Sequence, residues 1–156
     1  MSFGRKFKEY LLDSRVDFDL VEHRRTGSSS QTAHAAHIPG DRLAKAVVLQ
    51  HDDGYVLAVV PSTHRVELGT LERALGCKLN IATEAEVGRV FGDCVLGAVP
   101  PAGPAYDLKT LVDEELDKLP EVYFESGDHR TLVHVTGDGF RQLMSEAQHA
   151  QFSRHV

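Results

Sequence analysis

Lys45 stands at the head of the run Leu43-Ala44-Lys45-Ala46-Val47-Val48-Leu49, in which every neighbour is apolar. In a strand, side-chain alternation puts its amine on the face that carries Val47 and Leu49. A buried ammonium without a partner is costly, so the group must find an acceptor, snorkel to water, guard a sheet edge or face a cavity. The second candidate is VFGDCVLGAVPPAG, residues 90–103, apolar enough for a buried strand yet holding Gly92, Gly97, Gly103 and a proline pair. Two prolines remove two ladder donors, and glycine permits close backbone approach. Such a segment suits a rigid wall whose N–H groups face a carbonyl that becomes an oxyanion, although a plain proline-rich connection has the same composition. Ser126-Gly127-Asp128-His129 is a comparable loop, in which His129 either orients a substrate or closes the turn.

Other chemistry finds less support. Asp93 beside Cys94 would raise the thiol pKa if the side chains met, which suits a small buried hydrophobe better than a nucleophile. His34-Ala35-Ala36-His37 puts two imidazoles three residues apart on one helical face, but no third ligand completes a zinc spacing, so no metal is expected. No P-loop, dinucleotide fingerprint or G-x-S-x-G elbow is present, and no cofactor is implied.

The chain has 156 residues, 42% of them hydrophobic and 26% charged, which fits one globular domain over residues 1–156. No apolar run reaches bilayer length, and MSFGRKFKEY reads as an amphipathic polar start and not a signal peptide. Two cysteines outside any C-x-x-C pattern fit reduced thiols, so a cytoplasmic location is expected, with no membrane and no DNA partner. A net charge of −6 repels nucleic acid overall, so an RNA partner needs a local patch, with Arg5, Lys6, Lys8, Arg15, Arg24 and Arg25 as candidates.

The elements that would hold these groups follow from periodicity. Residues 3–14 read as an amphipathic helix, Val16-Phe18-Leu20 as an alternating strand, and Thr32 to Ile38 as a short helix stopped by Pro39-Gly40. The runs 45–50 and 55–60 form a hairpin about His51-Asp52-Asp53-Gly54, apolar on both faces and so central in a sheet. A helix over 68–75 ends at Gly76, residues 78–82 form a strand, and Thr83 with Glu86 makes a capping box whose helix ends at Gly92. Residues 109–112 are a weak strand, 122–125 and 131–136 a second hairpin, 140–147 a closing helix, and the tail from His149 frays. The fold class is mixed α/β, a largely antiparallel mixed sheet with helices packed outside.

The order of a Ser/Thr-rich loop before an alanine helix, A-K-A-V-V-L, V-V-P, F-x-D-C-x-x-G-A-V-P-P-x-G and S-G-D-H resembles the YbaK/ProX family of aminoacyl-tRNA deacylases, similar to the editing insertion of bacterial prolyl-tRNA synthetases. The resemblance runs from about Val21 to Phe140. It implies a barrel-like sheet and hydrolysis of the ester joining a wrong amino acid to a transfer RNA. It also implies a water nucleophile, an aminoacyl-tRNA partner, and a synthetase as a further one. Lys45 would be the catalytic residue, holding the ester or terminal phosphate. Gly97, Ala98, Val99, Pro100 and Gly103 would line the pocket, with Thr32, Gly127 and His129 beside it. Gly92, Val95 and Ala102 depart from the proline, acid and aromatic expected there, which bears on pocket size and on the rejected amino acid. These departures and the acidic balance also motivate a competing reading, a non-catalytic module binding a small molecule or protein.

Overall fold

The computed structural model describes residues 4–24, 29–52, 54–94, 99–128 and 130–156. Its centre is the hairpin of β2 (Leu43–His51) and β3 (Gly54–Pro61), whose two-faced apolar runs lie inside the sheet as their composition requires. With β1 (Asp19–Glu22), β6 (Lys109–Asp113), β7 (Glu121–Glu125), β8 (Thr131–Thr136) and β9 (Gln148–Ala150) the order is β1-β8-β7-β2-β3-β6-β9, and β5 (Asn80–Ile81) joins β2. The β2/β3, β2/β5, β1/β8 and β7/β8 ladders are antiparallel, whereas β2/β7, β3/β6 and β6/β9 are parallel. The ladder path runs open from β1 to β9 among the described residues. A separate ribbon pairs β4 (His64–Val66) with β10 (Ser153–His155).

Both sheet faces are covered. Ala44 and Val48 of β2 pack with α1 (Arg5–Ser14), α6 (Gly137–Leu143) and the segment containing Phe91, Val99, Ala102 and Tyr106. Leu49 of β2 and Val56, Ala58 and Val60 of β3 pack instead with Leu71 of α3 (Leu68–Leu75), Leu79 and Phe152. The helix α2 (Ser29–Ala35) covers Leu43 and Leu132 in a smaller cluster. Local chemistry sets the helix ends: α3 stops at left-handed Gly76, and α4 (Glu84–Val90) starts in the Thr83/Glu86 capping box. None of the described helices is long and apolar enough to cross a membrane.

Four expectations need correction. Strand β1 begins only at Asp19, with Val16 buried ahead of it and Leu20 exposed, because the chain first turns at left-handed Arg15. The helix α2 ends at Ala35 and His37 adopts φ 58°, so His34 and His37 do not share a helical face. The closing helix spans 137–143 and not 140–147, because Thr136 caps it, its hydroxyl accepting Gly139 N–H. The tail does not fray. His149 donates to Asp117 Oδ2 at 2.7 Å and to Met144 O at 3.0 Å, and donation from both ring nitrogens requires an imidazolium. Burial works against that charge, but the two acceptors and Glu114 hold its pKa above the ordinary value.

Further on, Phe152 N–H and the Ser153 hydroxyl both donate to Asp113 Oδ2, at 3.1 and 2.7 Å, while Asp113 Oδ1 accepts from Glu115 N–H at 2.9 Å. One buried carboxylate thus fixes both the start of α5 (Glu114–Asp117) and the C-terminal ribbon.

Gly103, which the resemblance places at the pocket, is held against β6: a Cβ there would lie 1.7 Å from Thr110 Oγ1 and 2.8 Å from Leu108 O. Gly103→Ala is expected to destabilise the fold by about 1–3 kcal/mol through overpacking. Urea unfolding checks this, and an unchanged midpoint would mean that the turn yields freely.

Candidate active site

The lysine sits where the sheet divides. Strand β2 pairs with β7 only at Leu43↔Tyr123 and Ala44↔Phe124, and on the same edge it takes up β5 at Leu49↔Ile81. Lys45 is the first residue past the last β7 pair. Between the last β7 pair and the first β5 pair, this edge of β2 at Lys45 has no strand partner among the described residues.

Alternation and register agree on where the side chain goes. Lys45 is directly opposite Val60, on the Leu49 face, and it lines a cavity of 440 Å³ with Val47, His64, Arg65, Val66, Leu68, Ile81 and Val156. Its stem is half-buried. Burial, then the charge of Arg65, lower the ammonium pKa. Among the described residues no carboxylate pairs with it. His64 Nδ1 lies 2.9 Å from Ser153 Oγ, whose proton goes to Asp113, so Nδ1–H is the donor and Nε2 is left for other partners. The cavity therefore offers cations and an apolar wall to a ligand that carries a negative or strongly polar oxygen.

A second group of polar residues gathers at the end of β7. Glu125 is 3% exposed and on the Lys45 face, since Tyr123 and Glu125 alternate with core-facing Val122 and Phe124. The Thr32 hydroxyl donates to its Oε2 at 3.3 Å, and His23 Nε2 lies 3.9 Å from Oε1. Burial, with a smaller push from Asp128, lifts the carboxyl to about 7 against the Thr32 bond. Beyond it, Asp128 Oδ1 accepts the N–H groups of Arg130 and Thr131, both at 2.8 Å, and Ser126 Oγ donates to Thr131 O at 2.8 Å. Gly127 bridges these residues at φ 115°, with a virtual Cβ 2.8 Å from Gly4 N and 3.2 Å from Cys94 Sγ. Only glycine fits both the angle and the contact.

The F-G-D-C part of the glycine loop is a clamp. Asp93 accepts Lys6 N–H at 2.9 Å and the Tyr106 hydroxyl at 3.0 Å, which ties the start of α1 to the turn at 103–106, and the Phe91 ring packs against Tyr106 at a 44° tilt, centroids 4.4 Å apart. Burial opposes the Asp93 charge, but these donors hold its carboxyl below the ordinary range. Cys94 is pushed up to about 12, first by burial and then by Asp93, the state of an inert thiol.

Of the residues expected from sequence, Lys45 meets Arg65 and His64, Thr32 meets Glu125, and Gly127 meets Gly4 and Cys94. Val99 and Ala102 pack with the Ala44 and Val48 face, opposite Lys45, and Pro100 is buried. Gly97, Ala98 and His129 lie outside the described residues, as do Val95 and Arg25. Sequence reading missed Arg65, His64 and Glu125. Neither Glu125 nor Arg65 had a local signal: alternation in V-Y-F-E puts Glu125 on the face opposite the apolar Val122 and Phe124, where an acid reads as solvated, and Arg65 becomes a neighbour of Lys45 only through the tertiary fold. Among the described residues no group of three or more His, Cys, Asp or Glu side chains could hold a metal.

Glu125→Gln tests the buried carboxyl. A folded pKa raised from 4.5 to about 7 gives stability that is full below pH 4.5 and is lost as pH rises through 7. The wild type should therefore lose about 3 kcal/mol relative to the Gln variant between those limits. Parallel stability curves for the two proteins would contradict it.

Residues 23–143 match the model of the aminoacyl-tRNA editing domain family. The chain is 27% identical over 138 residues to the multifunctional Ser/Thr-tRNA deacylase ProXp-y of Escherichia coli K12, covering 84% of this chain and 82% of that one. It also superposes, at TM-score 0.81 and 28% identity, on a crystal structure described as a candidate trans-editing enzyme for prolyl-tRNA synthetase, covering 97% of this chain and 96% of that one. A hypothetical protein at TM-score 0.84 and 20% identity, covering 96% and 99%, shares the fold.

Proposed function

The chain belongs to the aminoacyl-tRNA editing domain family and is an aminoacyl-tRNA deacylase by class; from that premise we propose that it acts in trans, hydrolysing a small amino acid from a mischarged transfer RNA, with Lys45 as the group that holds the reacting end. The carrying observation is the half-buried ammonium of Lys45, without a carboxylate partner among the described residues, facing a cavity beside Arg65 and His64. A cation stripped of part of its water gains most from an anionic or developing anionic oxygen, which is the logic of transition-state stabilisation.

In the proposed reaction water attacks the ester carbonyl, a C–O bond to water forms and the bond to the ribose oxygen breaks. One water proton ends on that ribose hydroxyl, and the amino acid leaves as a carboxylate with release of the other proton. Lys45 would bind the ester or the adjacent terminal phosphate, and the N–H groups of Gly97 and Ala98 would take the oxyanion. Thr32, Gly127 and His129 would bound the amino-acid side. The relative's Ser/Thr activity and the prolyl-tRNA synthetase neighbour support a small amino acid on a proline or related transfer RNA, with a synthetase as the delivery partner.

Lys45→Ala is expected to lower deacylation across transfer RNAs mischarged with Ser, Thr, Ala or Cys by about 10²-fold or more, the usual cost of losing one such charge or donor. Because the amine orphans no ion-pair partner among the described residues, the melting temperature should barely move. A fully active Lys45→Ala enzyme would remove the role assigned to the residue.

A further inference from the structure

The β4–β10 ribbon carries an electrostatic oddity. Its register puts Arg65 directly opposite Arg154, both exposed, and His64 opposite His155. Like charges facing each other across an antiparallel pair weaken the ladder. Among the described residues neither arginine pairs with a carboxylate, although the chain carries 23 acids against 17 Lys and Arg. Asp113 is spent on Phe152 N–H, the Ser153 hydroxyl and Glu115 N–H, and Glu67, which follows the ribbon, uses its N–H on Phe152 O and forms no ion pair with either arginine.

Nor is the ribbon loose. It is held by Asp113, by Glu67 N–H to Phe152 O at 2.7 Å and by Val156 N–H to Thr63 O at 3.0 Å. Two uncompensated arginines on a fixed ribbon form a site for a repeating anion. Two of the cations singled out in the sequence are used otherwise: Arg5 lies 3.9 Å from Glu9, and Lys6 sits 5.7 Å over the Tyr106 ring.

We propose, resting on the deacylase reading above, that this ribbon is where the RNA backbone docks. Lys45 takes the reacting end in the cavity, Arg65 at the cavity wall takes the next phosphate, and Arg154 across the ladder takes one further out. Direct cross-strand neighbours lie about 5 Å apart at Cβ, so two long arginine side chains can serve adjacent phosphates of one strand. Contacts of this kind set affinity and salt dependence without reading sequence.

The test uses Arg154, which lies outside the cavity. Wild type, Arg154→Glu and Arg154→Lys are titrated with uncharged transfer RNA by fluorescence anisotropy at increasing KCl. The same proteins are assayed on a mischarged transfer RNA and on the matching aminoacyl-adenosine, which has the ester but no RNA backbone. Arg154→Glu should bind transfer RNA about tenfold more weakly, with a log–log salt slope shallower by about 0.7 to 0.9 or more. It should also raise KM for the mischarged transfer RNA while cleaving the adenosine ester at the wild-type rate. Arg154→Lys should restore binding. Unchanged affinity and slope in Arg154→Glu, with an active wild type, would overturn the docking surface and leave the deacylase reading intact. Equal losses on the adenosine ester would also overturn it, since the residue would then act at the reacting end. A wild type inactive on both substrates would overturn the deacylase reading and this proposal with it.

Discussion

The structure turns on the solvation of one ammonium. Lys45 occupies the place where an apolar strand leaves its parallel neighbour β7 and has not yet met β5, so its side chain is neither on the surface nor in the core. Moving it four residues along β2, to Leu49, would set the charge inside a packed apolar cluster. Moving it by one would turn it into the cluster under α1 and α6. The division of the sheet makes a charged residue tolerable in this strand, and partial burial, with the like charge of Arg65 added, lowers the ammonium pKa.

The rest of the fold braces the two sides of that division. On the β7 side, Asp128 and Ser126 lock the hairpin turn, Gly127 admits the start of α1 at close range, and Asp93 fastens that helix to the proline-bearing segment. On the β5 side, Asp113 anchors the C-terminal ribbon that walls the cavity. Both braces are carboxylates saturated with hydrogen-bond donors, which resist displacement because a buried acceptor stripped of its partners is expensive. Glu125 differs. It is buried with a raised pKa, so its charge state changes near neutrality within reach of Thr32.

Much of this was legible from residues alone where the cause is local. The His51–Gly54 hairpin, the Thr83/Glu86 capping box and the Gly76 stop follow from chemistry within a few residues, and all are present. The parity of Lys45 was also readable, because a strand period of two leaves one choice of face. The cavity was not, since Arg65, His64 and Val156 come from segments distant in the chain. The C-terminal ribbon was misread as fraying because its partner strand lies far earlier and its anchor, Asp113, looks in sequence like an ordinary helix cap. The glycine loop shows the opposite failure. Its composition suggested one ligand-facing wall, whereas among its described residues Val99 and Ala102 serve the core, Gly103 serves close packing against β6, and Asp93 serves as a clamp.

The most direct measurement is the titration of the Lys45 amine itself, by NMR of isotope-labelled lysine side chains, with and without a non-hydrolysable 3′-aminoacylamino-adenosine 5′-phosphate. A desolvated amine beside Arg65 should titrate below the ordinary lysine value in the free protein and rise when the phosphate-bearing analogue binds. An amine that titrates at the ordinary value and ignores the analogue would contradict the account at its centre.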